Sequence, residues 1–117
     1  MIEQRVPEKL VIMIVASNDD SERLMQTLVQ EGMPATRVGS AGGFLRRGSS
    51  TIFSGVPAAE VERLLTIVRR TCPVRTELAP VQTLPLVGVA TGASEPVEVR
   101  TGGAIVFVVD IERFERI

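Results

Sequence analysis

The sequence contains no histidine, no tryptophan, no tyrosine and a single cysteine, Cys72, in 117 residues. Without histidine the chain lacks the commonest metal ligand and the side chain best suited to general base work near neutral pH. One cysteine excludes an internal disulfide. With no tyrosine and no clustered carboxylates either, no nucleophile–base pair can be named, so neither catalysis nor a metal cofactor is expected. Neither sign of charge prevails: 13 basic against 14 acidic residues leave a formal charge of −1, so no overall field directs the protein to nucleic acid or to an anionic membrane. Any bound anion has to be held locally. Long hydrophobic runs are lacking too. The longest, LVIMIVA at residues 10–16, is too short to span a bilayer, and Glu3, Glu8 and Lys9 before it do not fit a signal peptide, so a cytoplasmic location is expected.

What is present is enough for one domain over residues 1–117, with 44% hydrophobic and 23% charged residues. The run at 10–16 has the continuous apolar character of a central strand. A helix follows at roughly 20–31: residues 18–21 offer capping oxygens, Asp19 and Glu22 have capping-box spacing, and Leu24, Met25, Leu28 and Val29 recur at helical spacing before Gly32. A weaker strand runs from about 35 to 40, and STIFSGV at 50–56 is a third. Pro57 opens a second helix whose apolar face is Val61, Leu64, Leu65 and Val68, with Arg69 and Arg70 suited to its C-terminal end.

Residues 72–95 show no convincing period, and a segment of that length within a small domain points to a flexible, functional loop. Beyond it, Val97 and Val99 alternate with Glu98 and Arg100, Gly102 and Gly103 give a turn signal, and a strong strand covers about 104–109, which together predict a β-hairpin. The order strand, helix, strand, then strand, helix, strand predicts an α+β, ferredoxin-like βαββαβ fold, an antiparallel sheet with both helices on one face. Its first and last strands are apolar on both faces, so the face away from the helices calls for self-association.

The stretch SAGGFLRRGSST, residues 40–51, holds more chemistry than a reversal of the chain needs. Gly42 and Gly43 permit close backbone approach and an anion-binding nest of N–H groups. Phe44 is suited to stack on a purine, Leu45 to wall it, and Arg46 and Arg47 to make bidentate bonds to phosphate. Gly55 leaves room for a base edge at the third strand. The same residues also read as a plain glycine turn with a core phenylalanine and solvated arginines, in which case the chain is a ligand-free interaction module. Gly102–Gly103 reads as a turn, Cys72 as a small core residue, and the terminal DIERFERI as a packing tail.

Taken together, LVIMIVASNDD, ATRVGSAGGFLRRGSSTIFSGV and PVEVRTGGAIVFVVDIERFERI resemble the PII-like cyclic-di-AMP receptors, small trimeric signal-transduction proteins of bacteria, over nearly the whole chain. The resemblance implies a homotrimer with sheets facing inward and a cyclic dinucleotide at each subunit boundary. It implies ligand contacts from Ala35, Thr36, Arg37, Gly42, Gly43, Phe44, Leu45, Arg47, Ser49 and Gly55. A ligand-driven change in the 72–95 loop and an unidentified downstream protein partner are also implied. Three positions depart from the family pattern: Gly32 and Pro34 stand where an asparagine and an arginine are usual, and Ser49 where an asparagine is usual. Arg37, Arg46 or Arg47 would have to compensate, and a different adenine nucleotide is the alternative ligand.

Overall fold

The computed structural model describes residues 6–39, 49–79 and 96–117. Strands β1 (Lys9–Val15), β2 (Thr36–Gly39), β3 (Ser50–Val56) and β6 (Ala104–Asp110) form one antiparallel sheet in the order β2-β3-β1-β6. Helices α1 (Asn18–Gln30) and α2 (Val61–Thr71) cover one face of it. This is the expected ferredoxin-like arrangement. Two further strands, β4 (Val74–Ala79) and β5 (Val97–Gly102), form a separate antiparallel ribbon between α2 and β6.

Burial follows the strand period. Val11, Met13 and Val15 of β1 and Ile52 and Val56 of β3 are inaccessible or nearly so, and they form the core with Leu24 and Leu28 of α1 and Leu64, Ile67 and Val68 of α2. The alternate residues of β1, Leu10, Ile12 and Ile14, point to the opposite face and are only half-buried. Across from them on β6 stand Val109, Phe107 and Ile105, which are 45%, 51% and 60% exposed. The continuous apolar run of β1 thus serves two faces, one sealed by helices and one open.

Helix α1 begins earlier than its sequence suggests. Its cap is Ser17, whose Oγ accepts a hydrogen bond from the Asp20 amide, so the expected Asp19–Glu22 capping box does not start it. Ser17, two residues beyond the end of β1 at Val15, wins because it adopts extended backbone, as a cap requires. The C-terminus closes in a Schellman pattern: the Met33 amide donates to the Leu28 carbonyl and the Gly32 amide to that of Val29, with Gly32 at φ +76°. Pro57 precedes a single 3-10 turn, Ala58–Glu60, that runs into α2, with Arg69 and Arg70 in its last turn.

The expected hairpin of residues 97–109 does not form. β5 pairs with β4, from Val74 opposite Gly102 to Ala79 opposite Val97, while β6 pairs with β1. Gly102 and Gly103 do turn the chain, both at positive φ, but a turn does not choose strand partners. The unbroken apolar edge of β1 claims β6 over seven residue pairs, which leaves β5 to the more polar β4. β4 itself lies inside the stretch that showed no period, and the remainder of that stretch lies outside the described residues.

Candidate functional site

β2 is short, lies at the sheet margin, and is exposed at every residue. Two features set its start. The Schellman turn at Gly32 ends α1 and buries Met33, and the Ser54 hydroxyl of β3 donates to the Pro34 carbonyl. Ala35 packs against the core, and Thr36 comes to lie opposite Phe53. Because residues opposite one another in a sheet share a face, the register gives a row Thr36–Phe53–Ile12–Phe107 across the open face. A second row, Val38–Thr51–Ile14–Ile105, runs beside it. Thr36 is therefore a hydroxyl at the margin of an apolar surface. Arg37 points the other way, exposed at the same sheet edge.

Gly55 sits two residues beyond Phe53 on the same face, near Thr36, and is paired with Leu10. A β-carbon on it would stand 3.1 Å from Cβ of Pro7, so the glycine lets the segment before β1 lie close to β3. Ser49 lies at the far end of β3, six residues from Gly55 and so roughly 20 Å along an extended strand. The structure thus brings Ala35, Thr36 and Gly55 together and places Ser49 apart. Gly42, Gly43, Phe44, Leu45, Arg46 and Arg47 lie outside the described residues.

Two open clefts lie elsewhere in the described residues. One, about 470 Å³, runs between Pro7, Glu8 and Lys9 and the C-terminal segment from Asp110 to Phe114. The other, about 500 Å³, is a groove between α2 and β6 lined by Leu65, Val68, Cys72, Val74, Val106 and Val108. Neither contains Thr36, Arg37, Ser49 or Gly55.

The sheet end where Ser49 stands carries a polar cluster that sequence reasoning missed. β1 and β2 finish there and β3 and β6 begin there, as the pairs Val15–Ser50, Gly39–Ser50 and Val15–Ala104 show. The Ser50 hydroxyl donates to Asn18 Oδ1 at 2.9 Å. Two residues on, the carboxylate of Asp20 is wholly buried and receives Arg75 Nη2 at 3.1 Å and the Arg23 guanidinium. The Arg23 pairing has i,i+3 spacing and is legible in sequence; Arg75 is 55 residues away and gives no local signal. Burial, with Asp20 adding to it, pushes the Cys72 thiol up to about 11, which keeps it neutral and unreactive at physiological pH.

With this geometry in view, two comparisons identify relatives. A solved structure described as a functionally unknown protein from Pediococcus pentosaceus ATCC 25745 is 29% identical to the chain, with a TM-score of 0.70, over 97% of this chain and 100% of that one. The likeness extends through the fold but brings no activity with it. A family model described as "Cyclic-di-AMP receptor" matches residues 8–117, which takes in the sheet, both helices, the ribbon and every residue of the expected site, and so the chain belongs to the cyclic-di-AMP receptor family.

Proposed function

We propose that this protein is a signalling receptor that binds cyclic-di-AMP between the subunits of a homotrimer and is not an enzyme. The observation that carries the reading is the open sheet face. Ile105, Phe107 and Val109 are each about half exposed beside Leu10, Ile12 and Ile14, with Thr36 at the margin of the same surface. Covering such side chains is worth about 1.5–3 kcal/mol for each one fully buried, which second and third copies of the chain would supply. Ala35, Thr36, Arg37 and Gly55 would then lie near a subunit boundary, where a neighbour completes what one chain lacks. Gly42, Gly43, Phe44, Leu45 and Arg47 would cradle phosphate and stack on a base, with Ser49 at the root of that segment. Binding would act on the 72–95 segment, in which β4 lies, and so control a protein partner, in the cytoplasm. No helix of the described residues is long and apolar enough to cross a membrane.

A second reading keeps the site and changes the ligand. Gly32, standing where the family pattern has asparagine, is committed to ending α1 at φ +76°, and Pro34 has no amide proton to offer. Part of the usual base-reading set is thereby replaced, which favours weaker cyclic-di-AMP binding or another adenine nucleotide. Calorimetry with cyclic-di-AMP, other cyclic dinucleotides and adenine mononucleotides, run beside light scattering, tests both. Heat with cyclic-di-AMP and a trimeric mass support the first reading; heat only with another nucleotide selects the second. A monomer that binds none removes both.

A further inference from the structure

We propose that the first turn of α1 is a coupling device between the two segments that leave this end of the sheet, with Asn18 holding the start of β3 and Asp20 the start of β4. Its use in signalling rests on the receptor reading above; the coupling itself does not.

The turn is gripped on both sides. Asn18 accepts the Ser50 hydroxyl at 2.9 Å, and Ser50, itself buried, is the first residue of the strand that follows the glycine-rich connection. Two residues on in the chain, both Asp20 oxygens face Arg75, at 3.1 Å for Oδ2 with Nη2 and 3.4 Å for Oδ1 with Nη1. Arg75 is the second residue of β4, so it sits at the root of the ribbon. The Ala16 amide, two residues before the helix, donates to the Gly103 carbonyl at 3.1 Å and fixes the other root of the ribbon beside that turn.

The ribbon needs such a hold. A two-stranded sheet alone is marginal in water, and Val74 and Leu78 are more than half exposed, so little apolar burial secures it. The wholly buried Asp20 carboxylate, by contrast, pairs with Arg23 of its own helix on Oδ1 and gathers Arg75 on Oδ2, so the position of Arg75 follows that of Asp20. Asn18 and Asp20 share one rigid turn. A shift of β3 at Ser50 therefore reaches Arg75 without contact between the two strands. The direct evidence for a coupling is non-additivity between its two ends.

Hydrogen exchange of the full-length chain, read in peptides covering residues 74–79 and 97–102, tests this without any ligand. Arg75→Met keeps the length of the stem and should speed exchange of the ribbon about tenfold. Asn18→Ala should speed it at least threefold, although alanine is the better helix former, and Asn18→Asp, which keeps the acceptor, should restore it. The double variant should match Arg75→Met alone. Unchanged ribbon exchange in Asn18→Ala, or effects that simply multiply, overturns the coupling. Thermal melts of each variant confirm that the sheet is intact, and Asn18→Ala, at an exposed position, keeps the test valid should Arg75→Met unfold. Saturating cyclic-di-AMP then separates the two proposals. If it binds and protects the ribbon equally in the native chain and in Arg75→Met, the coupling fails while the receptor reading stands. If the ligand-free cycle is non-additive and no nucleotide binds, the receptor reading fails while the coupling stands.

Discussion

A β-carbon placed on Gly102 would stand 2.4 Å from the carbonyl oxygen of Pro73, so the last residue of β5 and the residue before β4 approach more closely than any side chain permits. Gly102 also holds φ +79°, a conformation that alanine adopts only under strain. Gly102→Ala should therefore part the roots of the ribbon and lower stability by about 2–4 kcal/mol, the sum of backbone strain and steric displacement. Gly39, where an added β-carbon meets nothing within 4 Å, is the control. Chemical denaturation of Gly102→Ala and Gly39→Ala compares them directly, and equal losses would show that the close approach is not required.

The open sheet face makes its own prediction. Phe107 lies opposite Ile12 in the middle of that face and is half exposed in a single chain. Phe107→Glu puts a charge where the proposed trimer has an apolar interior, yet leaves the helix-covered core untouched. Light scattering should show monomers at micromolar concentration, with far-ultraviolet circular dichroism unchanged. A trimer that survives this change would place the interface elsewhere.

How much of this was readable beforehand depends on how each element is held. β1, β3 and both helices pack on one core, so the helical period is written in the positions of Leu24, Leu28, Leu64 and Val68, while β1 reads as one continuous apolar run. Among the described residues, none of the ribbon belongs to the buried core. Val74 and Leu78 are exposed, so VRTELA carries no half-buried alternation and could not be told from loop. The pairing of β5 was hidden for the same reason: adjacent glycines announced a turn, whereas the partner was settled by β1 competing for β6 across the sequence. At the site, Thr36 was named from resemblance, and only the register shows that it shares a face with Phe53. Asp20 and Arg75 meet through tertiary structure alone.

Cys72 supplies a pH test. Its folded pKa is raised from 9.0 to about 11, by burial first and by the Asp20 carboxylate second, so the folded state holds the proton more tightly than the unfolded chain. The resulting stability is complete below pH 9 and is lost as pH rises toward 11. It amounts to roughly 2–3 kcal/mol. Denaturation at pH 8 and pH 10.5 should show the native chain losing stability more steeply than Cys72→Ala. At pH 8, maleimide should modify the folded protein far more slowly than the denatured chain; equal labelling rates would contradict the burial.

Thr36 gives the sharpest test of the binding site, because its side chain can be changed without disturbing the fold. It is exposed on an edge strand, faces Phe53 across the ladder, and is β-branched. Thr36→Val keeps the shape and the strand preference while removing the hydroxyl. If that hydroxyl bonds the ligand, the loss should be about 0.5–1.5 kcal/mol, roughly a twofold to twelvefold rise in Kd for cyclic-di-AMP, with Thr36→Ser retaining most of the affinity. Phe44→Ala, at the proposed stacking residue, should cost about 1–3 kcal/mol, and the two losses should add if each residue touches a different part of the dinucleotide. Thr36→Val should elute and melt as the native protein does without ligand, since Thr36 is exposed and lies outside the buried core. Calorimetry on the single and double variants reads all of this. A Thr36→Val protein that binds as tightly as the native chain would move the site away from β2, and with it the reason for placing the ligand between subunits.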